Sequence, residues 1–321
     1  MQRRQFMAAA AATLSCPAWS QTASTIKLLV GFPAGGSTDA IARVMAEHLQ
    51  KALGRPVIVD NRPGIAGRMA TVAVKNAAPG EALFMVAPNA IITQQLMYPT
   101  SVLRYDLLTD LQPVATLVSF PQALAVHPSL NVRNVREYIA WVKAGPAERQ
   151  MFGNGGLGSE SHFYGVELGK IAGLPLSVVP YRGNGPMVVD LVGGQIKAGI
   201  AAAGDLIQHE KAGKLKVIGL FGRTRSALMP DVPTLREQGF SLAGPDGWTG
   251  IWAPATMPRE EVRRVESALE AILRQPDLQA FFSEKAAAQV TFRGGSETDR
   301  NIREELAYWA PVIQSSGYKP E

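Results

Sequence analysis

Apolar positions along this chain switch repeatedly between two periods. Residues 26–30, IKLLV, make a solid apolar run of strand length. From Ile41 the spacing becomes helical: Ile41, Val44, Met45, Leu49 and Leu53 share one face, and Gly54-Arg55-Pro56 ends it. A strand over 57–59 follows. It is broken by Asn61-Arg62-Pro63-Gly64, where Pro fixes φ and Gly tolerates positive φ. A helix over 67–76 and a strand over 83–87 complete a βαβαβ unit, which predicts a parallel sheet with right-handed crossovers.

The rhythm restarts past the middle. The pattern predicts strands over 123–126, 151–152, 176–179, 197–201 and 215–220, with helices over 135–144, 162–172 and 185–192 between them. A strand over 248–253 and helices over 259–273, 276–284 and 296–315 close the chain. No repeat period of roughly twenty to fifty residues is present, which excludes a solenoid. Two α/β halves predict two lobes around a cleft, with ligand at the carboxyl ends of the strands.

The first twenty residues stand apart. Arg3 and Arg4 precede an apolar stretch over 6–14, and Ala18-Trp19-Ser20 follows, the order of an export signal. The apolar stretch is too short to span a bilayer. RRQFM has the twin-arginine look of Tat export, and the same arginines suit the Sec route. Cys16, the only cysteine, lies inside this segment, and Thr13 stands where a lipoprotein signal wants Leu. Cleavage near Ser20 leaves a chain without disulfides or Cys-ligated metal.

Of 321 residues, 46% are hydrophobic and 18% charged, the balance of a folded globular protein. Lys and Arg number 32 against 27 Asp and Glu, and losing Arg3 and Arg4 leaves 30. That surplus is small and scattered, with no basic run interleaved with aromatics, so no nucleic-acid partner is expected. It suits an anionic ligand.

Chemistry concentrates in three strand-to-helix loops. In GFPAGGSTDA, residues 31–40, Ser37 is placed to N-cap the next helix and Asp39 to meet its dipole. Gly35 and Gly36 exceed what capping needs. They let free N–H groups, with the Ser37 and Thr38 hydroxyls, hold a carboxylate or phosphate. GNGGLGSESHF, residues 153–163, repeats the idea. Its Gly153, Gly155 and Gly158 satisfy G-x-G-x-x-G, but the next strand ends in Val179-Pro180-Tyr181-Arg182, without the acid a dinucleotide fingerprint requires. An exported oxidoreductase holding NADP through Arg182 is the alternative reading. VPYRGNGP, residues 179–186, offers the Tyr181 phenol and the Arg182 donors.

Ser159, Ser161 and His162 are too close in sequence to build a nucleophile and its base, and no G-x-S-x-G elbow exists. The four histidines lack metal-ligand spacing. No cofactor is expected. Trp248 and Trp252 fall on one side of their strand, with Trp248 a candidate for the cleft wall.

These pieces together resemble a known family. VGFPAGGSTDAIAR, NRPG, GNGG-x-GS-x-SH, VPYRG, LVGGQIKAGI, HEKAGKLKVIG, DVPTLREQGF and GIWAPATMP follow in the order seen in the Bug-type periplasmic solute-binding proteins. Those are the extracytoplasmic receptors of tripartite tricarboxylate transporters. The resemblance covers essentially the whole chain and implies a periplasmic receptor without catalytic activity. Its implied fold is α/β, a two-lobed Venus-flytrap of the type II-like binding-protein kind, each lobe a mainly parallel sheet flanked by helices. Lobe one would join 24–122 to 247–321, and lobe two would be 123–246. The partners it implies are a small carboxylate ligand and membrane permease subunits, the receptor itself being a monomer. A receptor feeding a sensor instead of a permease has the same sequence signature.

Matching positions in the family assign the first loop (Phe32, Ala34, Gly35, Gly36, Ser37 and Thr38) and the second (Asn154, Gly155, Ser159, Ser161 and His162) to the ligand. Tyr181 and Arg182 border the same cleft. The chain departs from the family twice. Ile200-Ala201-Ala202 stands where many members carry Phe-Asp-Ser, placing Ala201 at a lost acidic wall. Ala87-Pro88-Asn89-Ala90 replaces small hydroxyl or glycine residues, which puts Asn89 at the pocket.

Overall fold

The computed structural model describes residues 24–284 and 288–320. The export signal over 1–20 and Cys16 lie outside the described residues.

The chain alternates β1 (Ile26–Val30), α1 (Ser37–Leu53), β2 (Val57–Asn61), α2 (Arg68–Lys75) and β3 (Leu83–Pro88). Two short helices follow, α3 (Ala90–Met97) and α4 (Thr100–Leu103), and then the long β4 (Leu111–Phe120). The next group is β5 (Gln122–Val126), α5 (Val135–Lys143), β6 (Met151–Asn154), α6 (Glu160–Ala172), β7 (Ser177–Pro180), α7 (Asn184–Val192), β8 (Ala198–Ala202), α8 (Ala203–Lys211) and β9 (Lys216–Leu220). The chain closes with β10 (Gly247–Pro254), α9 (Arg259–Leu273), α10 (Pro276–Glu284), β11 (Gln289–Gly294) and α11 (Gly295–Ser316).

Two sheets result, in the orders β11-β4-β10-β3-β1-β2 and β7-β6-β8-β5-β9. Each holds a parallel triplet, β2-β1-β3 or β7-β6-β8. Beside each triplet lies one antiparallel strand that has just arrived from the other sheet, β10 in the first and β5 in the second. β4 and β9 flank the incoming strands on the far side. The two sheets therefore share one plan, a mixed sheet in which a parallel triplet meets a single inserted antiparallel strand, and β11 extends the first as an antiparallel edge. Connections pass between the sheets at Pro121, between β4 and β5, and over residues 221–246, between β9 and β10.

Each sheet is covered on both faces. One face of the first packs on α1, α9 and α10 through residues such as Ile41, Met45, Val265 and Phe282; the other, which carries Trp248 and Trp252 of β10, packs on α2 and α3. The second sheet is buried between Tyr138, Phe163 and Leu168 on one side and Met187, Leu191 and Leu206 on the other. Helix α11 belongs to both. Ile302 sits in the first core, whereas Trp309, Val312 and Ile313 complete the second. Helix α11 thus packs against both sheets.

Candidate functional site

β1 runs into a loop that α1 does not cap in the expected way. Helix α1 begins at Ser37, with Gly36 at the N-cap and no side chain capping it. Ser37 is the first helical residue, one position inside its predicted place. Asp39 orders the loop instead. Its Oδ2 accepts from the Gly35 N–H at 2.8 Å and from Arg43 Nε at 2.9 Å. Its Oδ1 accepts from Asn61 Nδ2 at 2.9 Å, and Asn61 also reaches the Phe32 carbonyl at 3.2 Å. Bonding to Arg43 holds the buried Asp39 carboxyl down at about 2, against the opposing effect of burial. Gly35 takes φ +88°, the left-handed region that favours glycine.

With Gly35 committed to Asp39, the donors left at this helix start are the N–H groups of Gly36, Ser37, Thr38 and Asp39. None has a hydrogen-bond partner among the described residues. Ala34, Gly35, Gly36 and Ser37 are exposed, Phe32 is half-buried, and Thr38 is buried. The helix dipole adds partial positive charge at this exposed end, which suits an anion.

The second loop is self-braced. Asn154, fully buried, donates to Gly156 O at 2.9 Å and to Ser159 Oγ at 3.1 Å, and accepts from the Gly156 N–H at 3.2 Å. Ser159 caps α6 by accepting from the His162 N–H. The Ser159 and Ser161 hydroxyls lie 2.9 Å apart. His162 Nδ1 accepts from the Gly158 N–H at 3.1 Å, and its ring is packed between Phe163 and Tyr318. Burial lowers the His162 pKa, which favours the neutral ring that this bond needs. Asn154 and His162 therefore frame the loop, while Gly155 and Ser159 stay half-exposed.

The Tyr181 segment runs beside this loop. Tyr181 N–H donates to Asn154 O and Gly183 N–H to Gly155 O, both at 2.9 Å. The Tyr181 hydroxyl donates to Asp190 at 2.8 Å; burial first, then that bond, pushes its pKa up to about 12. Arg182 is exposed and makes no ion pair among the described residues.

The other three expected residues lie elsewhere. Ala201 is 0% exposed, paired with Ala123 inside the second sheet, so its methyl is core. Trp248 stacks on Trp252 at 5.9 Å and its indole N–H donates to Glu305, so the same-side prediction holds but the ring is buried. Asn89 is 2% exposed; its amide donates to Glu305 Oε2 at 2.9 Å and its carbonyl accepts from the Trp248 N–H. Asn89 and Trp248 serve the junction between the halves, and Ala201 lies within the second sheet.

That junction is the feature periodicity did not announce. Glu305 on α11, Asp246 on the returning segment and Glu160 at the start of α6 converge there. Burial pushes their carboxyls up, to about 7, about 6 and about 8 respectively. A polar cavity of about 180 Å³ opens beside Asp246 and Glu305, lined also by Arg223, Arg293 and Trp248. No residue of the three loops lines it.

Paired α/β sheets of one plan, linked by crossings and carrying helix starts at their loop ends, define a two-part binding protein. The chain matches the tripartite tricarboxylate transporter family receptor over residues 41–318, and it belongs to that family. It is 33% identical over 317 residues to Protein BugT of Bordetella pertussis, covering 98% of this chain and 96% of the relative. Among solved structures, a Rhodopseudomonas palustris protein with adipate aligns at TM-score 0.81 and 27% identity, over 94% of this chain and all of that one. MatC from the same species, with bound malate, aligns at 0.76 and 26%, over 91% and 99%. The periplasmic binding protein BugD aligns at 0.78 and 26%, over 93% and 99%. The family is one of periplasmic solute-binding receptors.

Proposed function

We propose that this chain is an exported, monomeric periplasmic receptor that captures a small carboxylate-bearing solute and delivers it to the permease of a tripartite tricarboxylate transporter. It has no catalytic role in this reading. The solute sits between lobe one, 24–122 with 247–321, and lobe two, 123–246. The observation that carries the proposal is the uncapped start of α1, where the Ser37 and Thr38 N–H groups have no partner within the described chain. Ser37, Thr38 and the backbone over Phe32–Gly36 contribute one set of contacts; Gly155, Ser159, Ser161 and Arg182 contribute the other. Hinge closure brings the two sets onto one solute.

Helix-end donors meet carboxylate charge without burying a side-chain cation. A micromolar affinity corresponds to about 8 kcal/mol, within reach of several charge-assisted hydrogen bonds in an enclosed cleft. The bound malate and adipate of the two Rhodopseudomonas palustris relatives agree with this chemistry. Native mass spectrometry of protein purified from periplasm tests it. Release of a small carboxylic acid on denaturation supports the receptor; release of a dinucleotide overturns it in favour of the NADP-dependent alternative.

A further inference from the structure

The polar cavity of about 180 Å³ lies where the returning segment reaches the first sheet, and its charged lining comes from separate stretches of chain. Arg223 and Asp246 belong to the connection over residues 221–246, Arg293 to β11, and Glu304 and Glu305 to α11. Ser119, just before the Pro121 crossing, adds a hydroxyl. Charges of both signs thus border one space without closing on each other. Arg223 and Arg293 both act electrostatically on the Asp246 carboxyl, yet neither forms an ion pair with it.

The protein makes little use of these cations. Arg223 Nη1 stands 4.0 Å from Glu304 and Arg293 Nε stands 3.7 Å from Glu297. Every other ion pair among the described residues closes to 3.1 Å or less. Neither guanidinium donates a hydrogen bond to any described residue. Asp246 is left in the same condition: neither carboxylate oxygen accepts a bond from a described residue, and Oδ1 is buried. Glu305, in contrast, is fully committed, accepting from Trp248 Nε1, from Asn301 Nδ2 at 2.7 Å and from Asn89 Nδ2 at 2.9 Å. Charged groups drawn partly out of water are stabilised only where donors and acceptors meet. Two arginines and one aspartate around a shared space lack those partners, and a molecule carrying the complementary groups supplies them.

We propose that this cavity is a second binding site, for a small amino acid held as its zwitterion: the carboxylate accepts hydrogen bonds from Arg223 and Arg293, and the ammonium donates to Asp246. A simple anion would answer the arginines and leave Asp246 without a donor. A simple amine would do the reverse. Size agrees, because about 180 Å³ is the liquid share of roughly six water molecules, room for glycine, alanine or serine. Burial pushes Asp246 up to about 6, so its carboxyl is mainly ionised at pH 7.5. None of the three loops lines the cavity, so the inference stands apart from the reading of those loops as the solute site.

Isothermal titration of the full chain at pH 7.5 with glycine, L-alanine and L-serine tests the site, with acetate and methylamine as probes that carry one charge each. The wild type is expected to bind at least one of the amino acids about tenfold or more tightly than either single-charge probe. Asp246→Asn and Arg223→Gln each remove a charge at nearly constant bulk, and each should weaken that binding by about tenfold or more. Arg223 has a side chain 60% exposed, so its variant decides alone should Asp246→Asn fail to fold. Ser37→Pro, altered at the start of α1, should bind the amino acid as the wild type does. No binding of any of the three at millimolar concentration leaves a cavity that holds water only and overturns the proposal. Acetate binding as tightly as the amino acids overturns it too. So does amino-acid binding that is lost in Ser37→Pro and kept in the other two variants, which places the amino acid at the solute loops. Failure of the wild type to bind malate or adipate counts against the carboxylate-receptor reading, while the amino acids still judge this site.

Discussion

Replacing Ser37 with proline isolates the helix-end donor from everything else in the fold. Ser37 is the first helical residue of α1, the position proline tolerates best, because its N–H has no intrahelical acceptor there. The preceding Gly36 is already extended, at φ −79° and ψ 170°, the geometry a residue before proline requires. Ser37 is exposed, so no core contact is lost. The substitution removes one N–H and one hydroxyl at the proposed carboxylate position. A hydrogen bond to a charged group contributes about 1.5–3 kcal/mol, so affinity should fall by roughly ten- to 150-fold. Stability should move by no more than about 1 kcal/mol. Ser37→Ala, which keeps the N–H, separates the two donors and should lose less. Isothermal titration with malate and with adipate, paired with thermal melts, measures both quantities. A proline variant that binds as tightly as wild type removes the α1 start from the site.

Other expectations follow from the same geometry. Asp39→Asn cannot hold Gly35, Arg43 and Asn61 together as the carboxylate does, and should weaken solute binding more than it lowers Tm; a purely destabilised protein with normal affinity would falsify the clamp. Because folding depresses the Asp39 pKa, its stabilisation is present above the ordinary value of 3.8 and is lost as pH falls through about 2, which acid melts on wild type and the Asn variant should separate. Asp246, Glu305 and Glu160 behave oppositely. Their raised pKa values give stability that is complete at low pH and is lost as pH rises through about 6, 7 and 8, together of order a few kcal/mol. Tm should therefore decline between pH 5 and 9, and a flat profile would show that these carboxyls ionise freely. Trp309→Ala should cost about 3–5 kcal/mol by opening the second core, visible in urea melts, and a loss under 1 kcal/mol would mean the C-terminal half of α11 is only draped there.

Much of this was legible where one period ran uninterrupted. The helical spacing over 259–273 and 276–284 reproduces α9 and α10 to the residue, and the strand-to-helix loops fell where glycines follow apolar runs. β4 escaped because Gln112 and Pro113 break its apolar run, and the irregular pairing of Pro113 with Trp252 is how the sheet tolerates a residue without an N–H. The site was read by residue type, which finds donors but not their partners. Ser37 looks like a cap until Asp39 is seen bonding Gly35. His162 looks available until the Gly158 N–H is found on its ring. Glu160 reads as an ordinary first-turn acid, because its burial depends on α11 and the returning segment, which lie far away in the chain.

The insertion of β10 between β3 and β4 fixes an order of events during synthesis. Everything needed for the second sheet lies between residues 122 and 220, so that sheet can pair as soon as this stretch is available. The first sheet cannot. Its strands β3 and β4 have a gap between them until residues 247–254 arrive more than a hundred residues later, and α11 is later still. A nascent chain therefore spends most of its synthesis with an unfinished first half.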